Sequence, residues 1–173
     1  MDWKFCPYCA GNLEYETKTV QKCNSCGKKH YQNPKATVGI ILFDNENRLV
    51  LSIRGVEPYK GKQDCIGGFV EIGETLEKGL YRELHEETGL TKDDITKPFY
   101  LSSEYQTLHF MGYDTAVSSI IFIADIINDK MVANDDISGF VRLKESNVNL
   151  DNLAWPKQVS SLVEKAFKAR NSN

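Results

Sequence analysis

The feature that most constrains this chain is a run of acids placed where a helix needs apolar residues. The stretch from Thr75 to Thr88 carries no Pro and opens on a capping residue. Gly89 follows it as a C′ residue, so the spacing predicts one helix over these positions. An α-helix turns about 100° per residue. With Leu76 at zero, Leu80 and Leu84 fall near 40° and 80°, while Glu83 and Glu87 fall near −20° and +20°. Two carboxylates therefore share the face that the leucines bury, and Glu86, near −80°, lies at its edge. Surface acids belong on the opposite side. Inward carboxylates need protons, cations or a metal, and three together favour a divalent ion. Oxygen-only ligands point to Mg²⁺ or Mn²⁺.

A second constraint lies upstream. Cys6-Pro7-Tyr8-Cys9 and Cys23-Asn24-Ser25-Cys26 are two pairs, each with a two-residue gap. Such a gap lets two thiolates in one tight turn point at one ion, so two turns supply a tetrahedral zinc site. Four thiolates close the coordination shell, which makes a structural Zn²⁺ the expectation rather than a catalytic one. Some 30 residues cannot bury enough core to fold alone, and the metal supplies the missing stabilisation. Two disulfides are the alternative. The opening Met1-Asp2-Trp3-Lys4-Phe5-Cys6 shows no secretion signal, so reduced thiols and a cytoplasmic location are expected. The fifth cysteine, Cys65, reads as a small core residue.

Composition removes other classes. With 41% hydrophobic and 26% charged residues the 173-residue chain is neither disordered nor collagen-like. Its net charge of −3 argues against holding nucleic acid by phosphate neutralisation alone. The ribbon's lysine excess is also cancelled by a zinc tetrathiolate, which carries about −2. The longest apolar stretch, Val117 to Ile127, includes Ser118, Ser119 and Asp125 and falls short of the roughly 20 apolar residues of a membrane span.

Asn33-Pro34 marks a joint, giving two domains, 1–33 and 34–173. Strands are expected at Ala36–Phe43, Arg48–Arg54, Phe99–Gln106, Val117–Ile127 and Phe140–Leu143, and a last helix opens at Pro156. This alternation predicts an α/β sandwich with a mixed sheet rather than a doubly wound parallel one.

The stretch Gly68-Phe69-Val70-Glu71-Ile72-Gly73-Glu74, seven residues, then Arg82-Glu83-Leu84-His85-Glu86-Glu87-Thr88-Gly89-Leu90 resembles the Nudix family's signature box at every defining position. That resemblance implies a Nudix α/β/α sandwich, here behind a small zinc ribbon. It also implies Mg²⁺-dependent hydrolysis of a nucleoside diphosphate linked to another moiety. Glu83 and Glu87 would be the chief metal ligands, with Glu86 and the Gly68 carbonyl assisting. Glu74 and Arg82 would orient the helix carboxylates. The expected partner is a small-molecule nucleotide substrate, and homodimers are common in the family. Within Gly61 to Glu71, Gln63, Cys65 and Ile66 depart from the usual Trp, Leu and Pro. A four-cysteine ribbon before the box resembles the NADH pyrophosphatase-type branch, or an ADP-ribose pyrophosphatase. The NADH branch's Ser-Gln-Pro-Trp-Pro-Phe-Pro signature is replaced by Leu101-Ser102-Ser103-Glu104-Tyr105-Gln106-Thr107, and the coenzyme A signature is absent.

ADP-ribose or a similar compound is thus favoured, with NADH and nucleoside triphosphates as alternatives. A non-catalytic nucleotide sensor and a zinc-ribbon adaptor are the readings from other classes. Candidates for the catalytic base are Glu86, Glu104, Asp135 and Asp136. Arg54 is either a phosphate contact or a surface residue. Trp155, beside Pro156, is expected in the core, while Tyr59, Tyr105 and Tyr113 could stack on a base or pack in the core.

Overall fold

Strand β4, Lys35–Phe43, runs through the middle of the main sheet and shows how the layers arise. Successive side chains on a strand point to opposite faces. On one face Val38, Ile40 and Leu42 join Val50, Ile66, Leu80 and Leu84 in one apolar cluster. On the other, Ile41 and Phe43 join Leu49, Leu51, Val159, Leu162, Val163 and Phe167 in a second. Leu80 and Leu84 belong to helix α1, Leu76–Thr88, and Val159 to Phe167 belong to helix α2, Pro156–Asn171. The sheet is therefore covered on both faces, and the fold is an α/β/α sandwich. The near-continuous apolar run of β4 is what burial on both faces requires.

The computed structural model describes residues 3–110 and 112–171. They form two compact units, Met1–Lys35 with Gln106–Val117, and Ala36–Tyr105 with Ser118–Asn173. In the main sheet the strand order is β10-β5-β4-β9-β8, where β5 is Leu49–Arg54, β8 Phe99–Phe110, β9 Tyr113–Asp125 and β10 Ile137–Leu143. Two short strands complete this mixed sheet. β6, Gln63–Asp64, pairs antiparallel with β5, and β7, Ile66–Phe69, pairs antiparallel with β4 in the register Val38↔Gly68 and Gly39↔Gly67. This register carries the two glycines to the start of the α1 chemistry.

The helix limits follow local signals. The Thr75 hydroxyl accepts from the Lys78 amide, and Gly89 adopts the left-handed conformation at φ 71°. Strands β8 and β9 reach further toward each other than expected, past Gln106 and starting before Val117.

In the first unit, β1 (Leu13–Thr17), β2 (Val20–Cys23) and β3 (Lys29–Tyr31) form one three-stranded antiparallel sheet. Among the described residues its apolar core is Cys6, Leu13 and Cys23. No helix among the described residues is long and apolar enough to cross a membrane.

Candidate active site

Helix α1 presents its acids as its periodicity requires. Leu80 and Leu84 are fully buried, and Glu87 is buried beside them at 9% exposure. Glu83 is half-buried, and Glu86 and His85 face out. The acids meet the glycine pair of β7. The Gly67 amide donates to Glu87 Oε2 at 2.9 Å. A Cβ on Gly68 would stand 2.5 Å from Glu83 Oε1, so only a glycine lets that carboxylate lie against the strand. Gly67 serves the backbone instead, since its φ is 143° and a Cβ there would meet the Val38 carbonyl oxygen at 2.1 Å. One glycine makes the strand pairing and the other makes room for the acid.

Arg82 organises the rest. Its Nε and Nη2 grip Glu74 Oε1 and Oε2 at 2.8 and 3.0 Å, a bidentate pair. Nη1 donates to Glu83 Oε1 at 2.8 Å and to Glu86 Oε2 at 2.9 Å. Nη2 also donates to the Phe69 carbonyl at 2.8 Å, which ties α1 to the end of β7. The Glu71 amide donates to Glu74 Oε2 at 2.9 Å. One guanidinium therefore touches three of the box acids.

The charge balance differs from acid to acid. The Arg82 bond, with the Glu71 amide, holds Glu74 down at about 2. Burial raises Glu83, against the pull of Arg82. Burial pushes Glu87 up to about 8, opposed by the Gly67 amide and reinforced by the charges of Glu83, Asp64 and Asp135. Among the described residues no cationic side chain is bonded to Glu87, and a buried carboxylate with three acidic neighbours is one that a cation would stabilise. The donor set is all oxygen, which suits Mg²⁺ or Mn²⁺.

Asp64 was not singled out by the sequence. Burial raises it to about 6, against the Arg54 ion pair at 3.2 Å and the Cys65 amide. The signal for it was a lone acid inside an otherwise uncharged strand, four residues before Gly68. Arg54 is not a free surface residue. Its Nη1 meets Asp64, its Nε donates to the Pro58 carbonyl at 2.7 Å, and its plane lies over the Trp155 ring. Trp155 itself is half-buried rather than enclosed in the core, and Tyr105 and Tyr113 are exposed on β8 and β9.

The loop acids separate. Glu104 is ion-paired with Lys165. The Asp136 carbonyl accepts from the Gly55 amide at 2.6 Å. Asp135 acts electrostatically on both Glu83 and Glu87. Its segment is bonded to the end of α1, through the Asn134 amide on the Glu87 carbonyl and the Val132 amide on the Thr88 carbonyl.

The four cysteines of the first unit converge, with all Sγ atoms within 4.8 Å of one another. Cys6 and Cys26 are 3.8 Å apart, and Cys9 and Cys23 are 3.5 Å apart. A zinc tetrathiolate with bonds of about 2.3 Å has sulfur–sulfur edges of about 3.8 Å, so the quartet fits that ion. Both turns are the same device. Ala10 and Gly27, each four residues after the first cysteine of its pair, donate back to the Cys6 and Cys23 carbonyls at 2.8 and 3.0 Å. Both stand at positive φ, 58° and 72°. The thiols do not share charge evenly. Although the Gly11 amide lowers Cys9, bonds to the other three thiols carry it up to about 12. The Cys26 and Ser25 amides hold Cys23 down at about 6.

Comparison with known proteins adds to this geometry. Residues 33–160 match the NUDIX domain. An ADP-ribose pyrophosphatase of Methanocaldococcus jannaschii is 36% identical over 124 residues, spanning 70% of this chain and 69% of the relative. The NAD-capped RNA hydrolase NudC of Vibrio cholerae is 32% identical over 117 residues, 65% of this chain. The match spans 43% of that relative's own length. Among solved structures, a NUDIX hydrolase from Nitrosomonas europaea aligns with a TM-score of 0.63 at 26% identity, covering 88% of this chain and 84% of that one. The NUDIX domain of Shewanella oneidensis NrtR, complexed with ADP ribose, aligns with a TM-score of 0.64 at 20% identity. It covers 80% of this chain and 90% of that one, and supports the fold alone.

Proposed function

This chain belongs to the Nudix family, and from that premise we propose that it is a Mg²⁺-dependent pyrophosphohydrolase whose favoured substrate is ADP-ribose or a similar compound. It is a Nudix hydrolase acting on nucleoside diphosphate derivatives. The observation that carries the finer reading is Glu87, a buried carboxylate on the apolar face of α1 with Glu83, Asp64 and Asp135 acting on its charge.

Glu83, Glu86, Glu87 and the Gly68 carbonyl would hold Mg²⁺, or Mn²⁺ in its place. Ions bound there supply charge neutralisation on the diphosphate oxygens and lower the pKa of a bound water. Arg82 and Glu74 are positioning residues, because the guanidinium fixes the Glu83 and Glu86 carboxylates while Glu74 fixes the guanidinium. Asp135 is the general base that takes the proton of the attacking water. It acts on the same acids, whereas Lys165 holds Glu104. Arg54 braces the neighbouring loop, where the Pro58 carbonyl and Asp64 accept from its Nε and Nη1. Zn²⁺ on Cys6, Cys9, Cys23 and Cys26 is structural. The ribbon, residues 1–33, and the Nudix domain, 34–173, are the two domains, and a zinc site built on reduced thiols fits a cytoplasmic location.

The likeness to NudC favours a second substrate class, a dinucleotide bearing a nicotinamide end. A panel of ADP-ribose, NADH, FAD, a nucleotide sugar and nucleoside triphosphates with Mg²⁺ separates these. The expected result is fast release of AMP from ADP-ribose, lost in Glu83→Gln and in Glu87→Gln. Near wild-type turnover in either variant overturns the assignment of the metal ligands. Tight binding without turnover of any compound turns the reading to a nucleotide sensor.

A further inference from the structure

The four cysteines have a neighbour that their spacing does not announce. His30 Nε2 lies 3.4 Å from Cys6 Sγ, within hydrogen-bond range for sulfur. Strand pairing in the ribbon brings it there. His30 on β3 stands opposite Gln21 on β2, and Gln21 lies two residues before Cys23. Directly opposed residues share a face, as do residues two apart, so His30 stands on the face of Cys23. Gln21 and Cys23 are buried there, and the His30 side chain is half-buried.

The imidazole is braced from two directions. Its centroid is 6.0 Å from that of Trp3, at 49°, and 5.7 Å from that of Tyr8, at 33°. Tilted aromatic pairs at such separations attract each other beyond simple burial. Each brace has its own anchor. The Trp3 carbonyl accepts from Gln21 Nε2 at 2.9 Å, and Gln21 Oε1 accepts from Gln32 Nε2. Tyr8 belongs to the first cysteine turn, between Cys6 and Cys9, and the Lys28 ammonium lies 4.2 Å from its ring centroid. The thiols also differ in what supports them. Cys23 Sγ accepts from the Cys26 amide at 3.4 Å, a bond within its own turn, whereas Cys6 takes a side chain 24 residues away.

We propose that His30 holds Cys6 on the zinc ion, its Nε2–H donating to the thiolate from a ring braced by Trp3 and Tyr8. This rests on the structural-zinc reading of the four cysteines. Between a thiol and an imidazole either atom can donate. A zinc-bound cysteine has lost its proton, so its sulfur only accepts and the imidazole must be the donor. Four thiolates around one zinc ion leave a charge of about −2, and an N–H aimed at one of them makes a charge-assisted bond. The four sulfurs complete the tetrahedral shell, so His30 does not enter it as a ligand. It is a positioning residue that acts on the metal through Cys6.

Competition with a chromogenic chelator under reducing conditions measures the zinc affinity of the full chain. His30→Phe keeps an aromatic ring between Trp3 and Tyr8 and removes the donor. It should weaken zinc binding by roughly 10- to 100-fold, the usual effect of losing a hydrogen-bond partner of a metal ligand. His30→Gln keeps an N–H at similar reach and should bind zinc several-fold more tightly than His30→Phe. Equal affinity in His30→Phe and the parent overturns the proposal. A loss in His30→Gln as large as that in His30→Phe also overturns it, because packing rather than donation is then at work. Nitrogen NMR of the zinc-loaded parent, with isotope-labelled histidine, reads the donor directly. Of the three histidines, His30, His85 and His109, the His30 signal is the one missing in His30→Gln. It should carry a proton on Nε2, and a proton on Nδ1 alone or a direct bond from Nε2 to the metal overturns the proposal. This measurement uses the unaltered site and decides the matter even where His30→Phe does not fold. Failure of the parent to take up zinc removes the zinc reading and the proposal together, whereas zinc uptake indifferent to His30 removes the proposal alone.

Discussion

Replacing Arg82 by Ala should damage this protein more than any other single change on the surface of α1. The guanidinium makes five hydrogen bonds, two to Glu74, one each to Glu83 and Glu86, and one to the Phe69 carbonyl. Arg82, Glu74 and Glu83 have side chains 22%, 17% and 13% exposed, so water replaces few of those bonds. Removing one partner of a buried charge network costs about 3–5 kcal/mol, because the acids left behind are uncompensated. The exposed Glu86, 46% open, favours the lower figure, about 3 kcal/mol. At about 2–4 °C per kcal/mol for a chain of this size, Tm should fall by roughly 6–12 °C. Arg82→Lys keeps the charge and loses the fork that grips Glu74 at both oxygens, so it should fall in between.

A double-mutant cycle isolates the pair. Glu74→Gln alone removes half of the fork. If the two side chains act as a unit, Arg82→Ala in the Glu74→Gln background should cost at least about 1 kcal/mol less than in the parent. Thermal scans of the four proteins in metal-free buffer measure this without reference to activity. A drop below about 2 °C in Arg82→Ala, or strict additivity with Glu74→Gln, would refute the reasoning, since either means that the network carries no stability.

Three further outcomes follow from other parts of the molecule. Gly68→Ala puts a methyl 2.5 Å from Glu83 Oε1, the far end of a flexible side chain, so Tm should hold within about 2 °C while turnover drops by roughly a hundredfold, as an ångström of misplacement does; parallel thermal and kinetic measurements check the split. Asp64 is raised from 3.8 to about 6, so the stability it gives is complete below pH 3.8 and is lost as pH rises through 6, a difference of about 3 kcal/mol that Asp64→Asn should remove from the stability–pH curve between pH 4 and 8. Zinc chelation under reducing conditions should abolish the near-ultraviolet signal of the first unit, whose apolar core is Cys6, Leu13 and Cys23, and leave a cooperative transition for the second; metal analysis that finds no zinc in the purified protein would contradict this.

The parts of this molecule that could be read from the sequence are those whose cause is local. The limits of α1 come from the Thr75 hydroxyl and the Gly89 backbone, both set within four residues. The burial of Glu87 beside Leu84 comes from helical rotation alone. The cysteine pairs declare themselves because two residues of spacing and one repeated turn bring the thiols together. Where partners are distant the sequence is silent. Asp64 matters because Arg54 lies on the neighbouring strand and Glu87 on a helix more than twenty residues away. Trp155, with Pro156 beside it, reads as a core residue. A backbone at φ 41° instead sets its ring against Tyr59 and Arg54, almost a hundred residues upstream.

That division has a physical basis in the two glycines of β7. Gly67 and Gly68 are identical in sequence, and neither composition nor periodicity separates them. Yet a Cβ on the first meets the Val38 carbonyl, an immovable backbone atom, and a Cβ on the second meets a carboxylate that can swing away. The first is therefore required by the fold and the second by the chemistry. Gly67→Ala should lower stability, because the strand pairing with Gly39 must shift and the φ of 143° is strained for an L-residue. Gly68→Ala should leave the sheet in place and move only Glu83. Tertiary contacts assign opposite roles to adjacent identical residues, and the two variants measured side by side read out that assignment. Matching losses of Tm in both would mean that Glu83 is as rigid as the strand it faces.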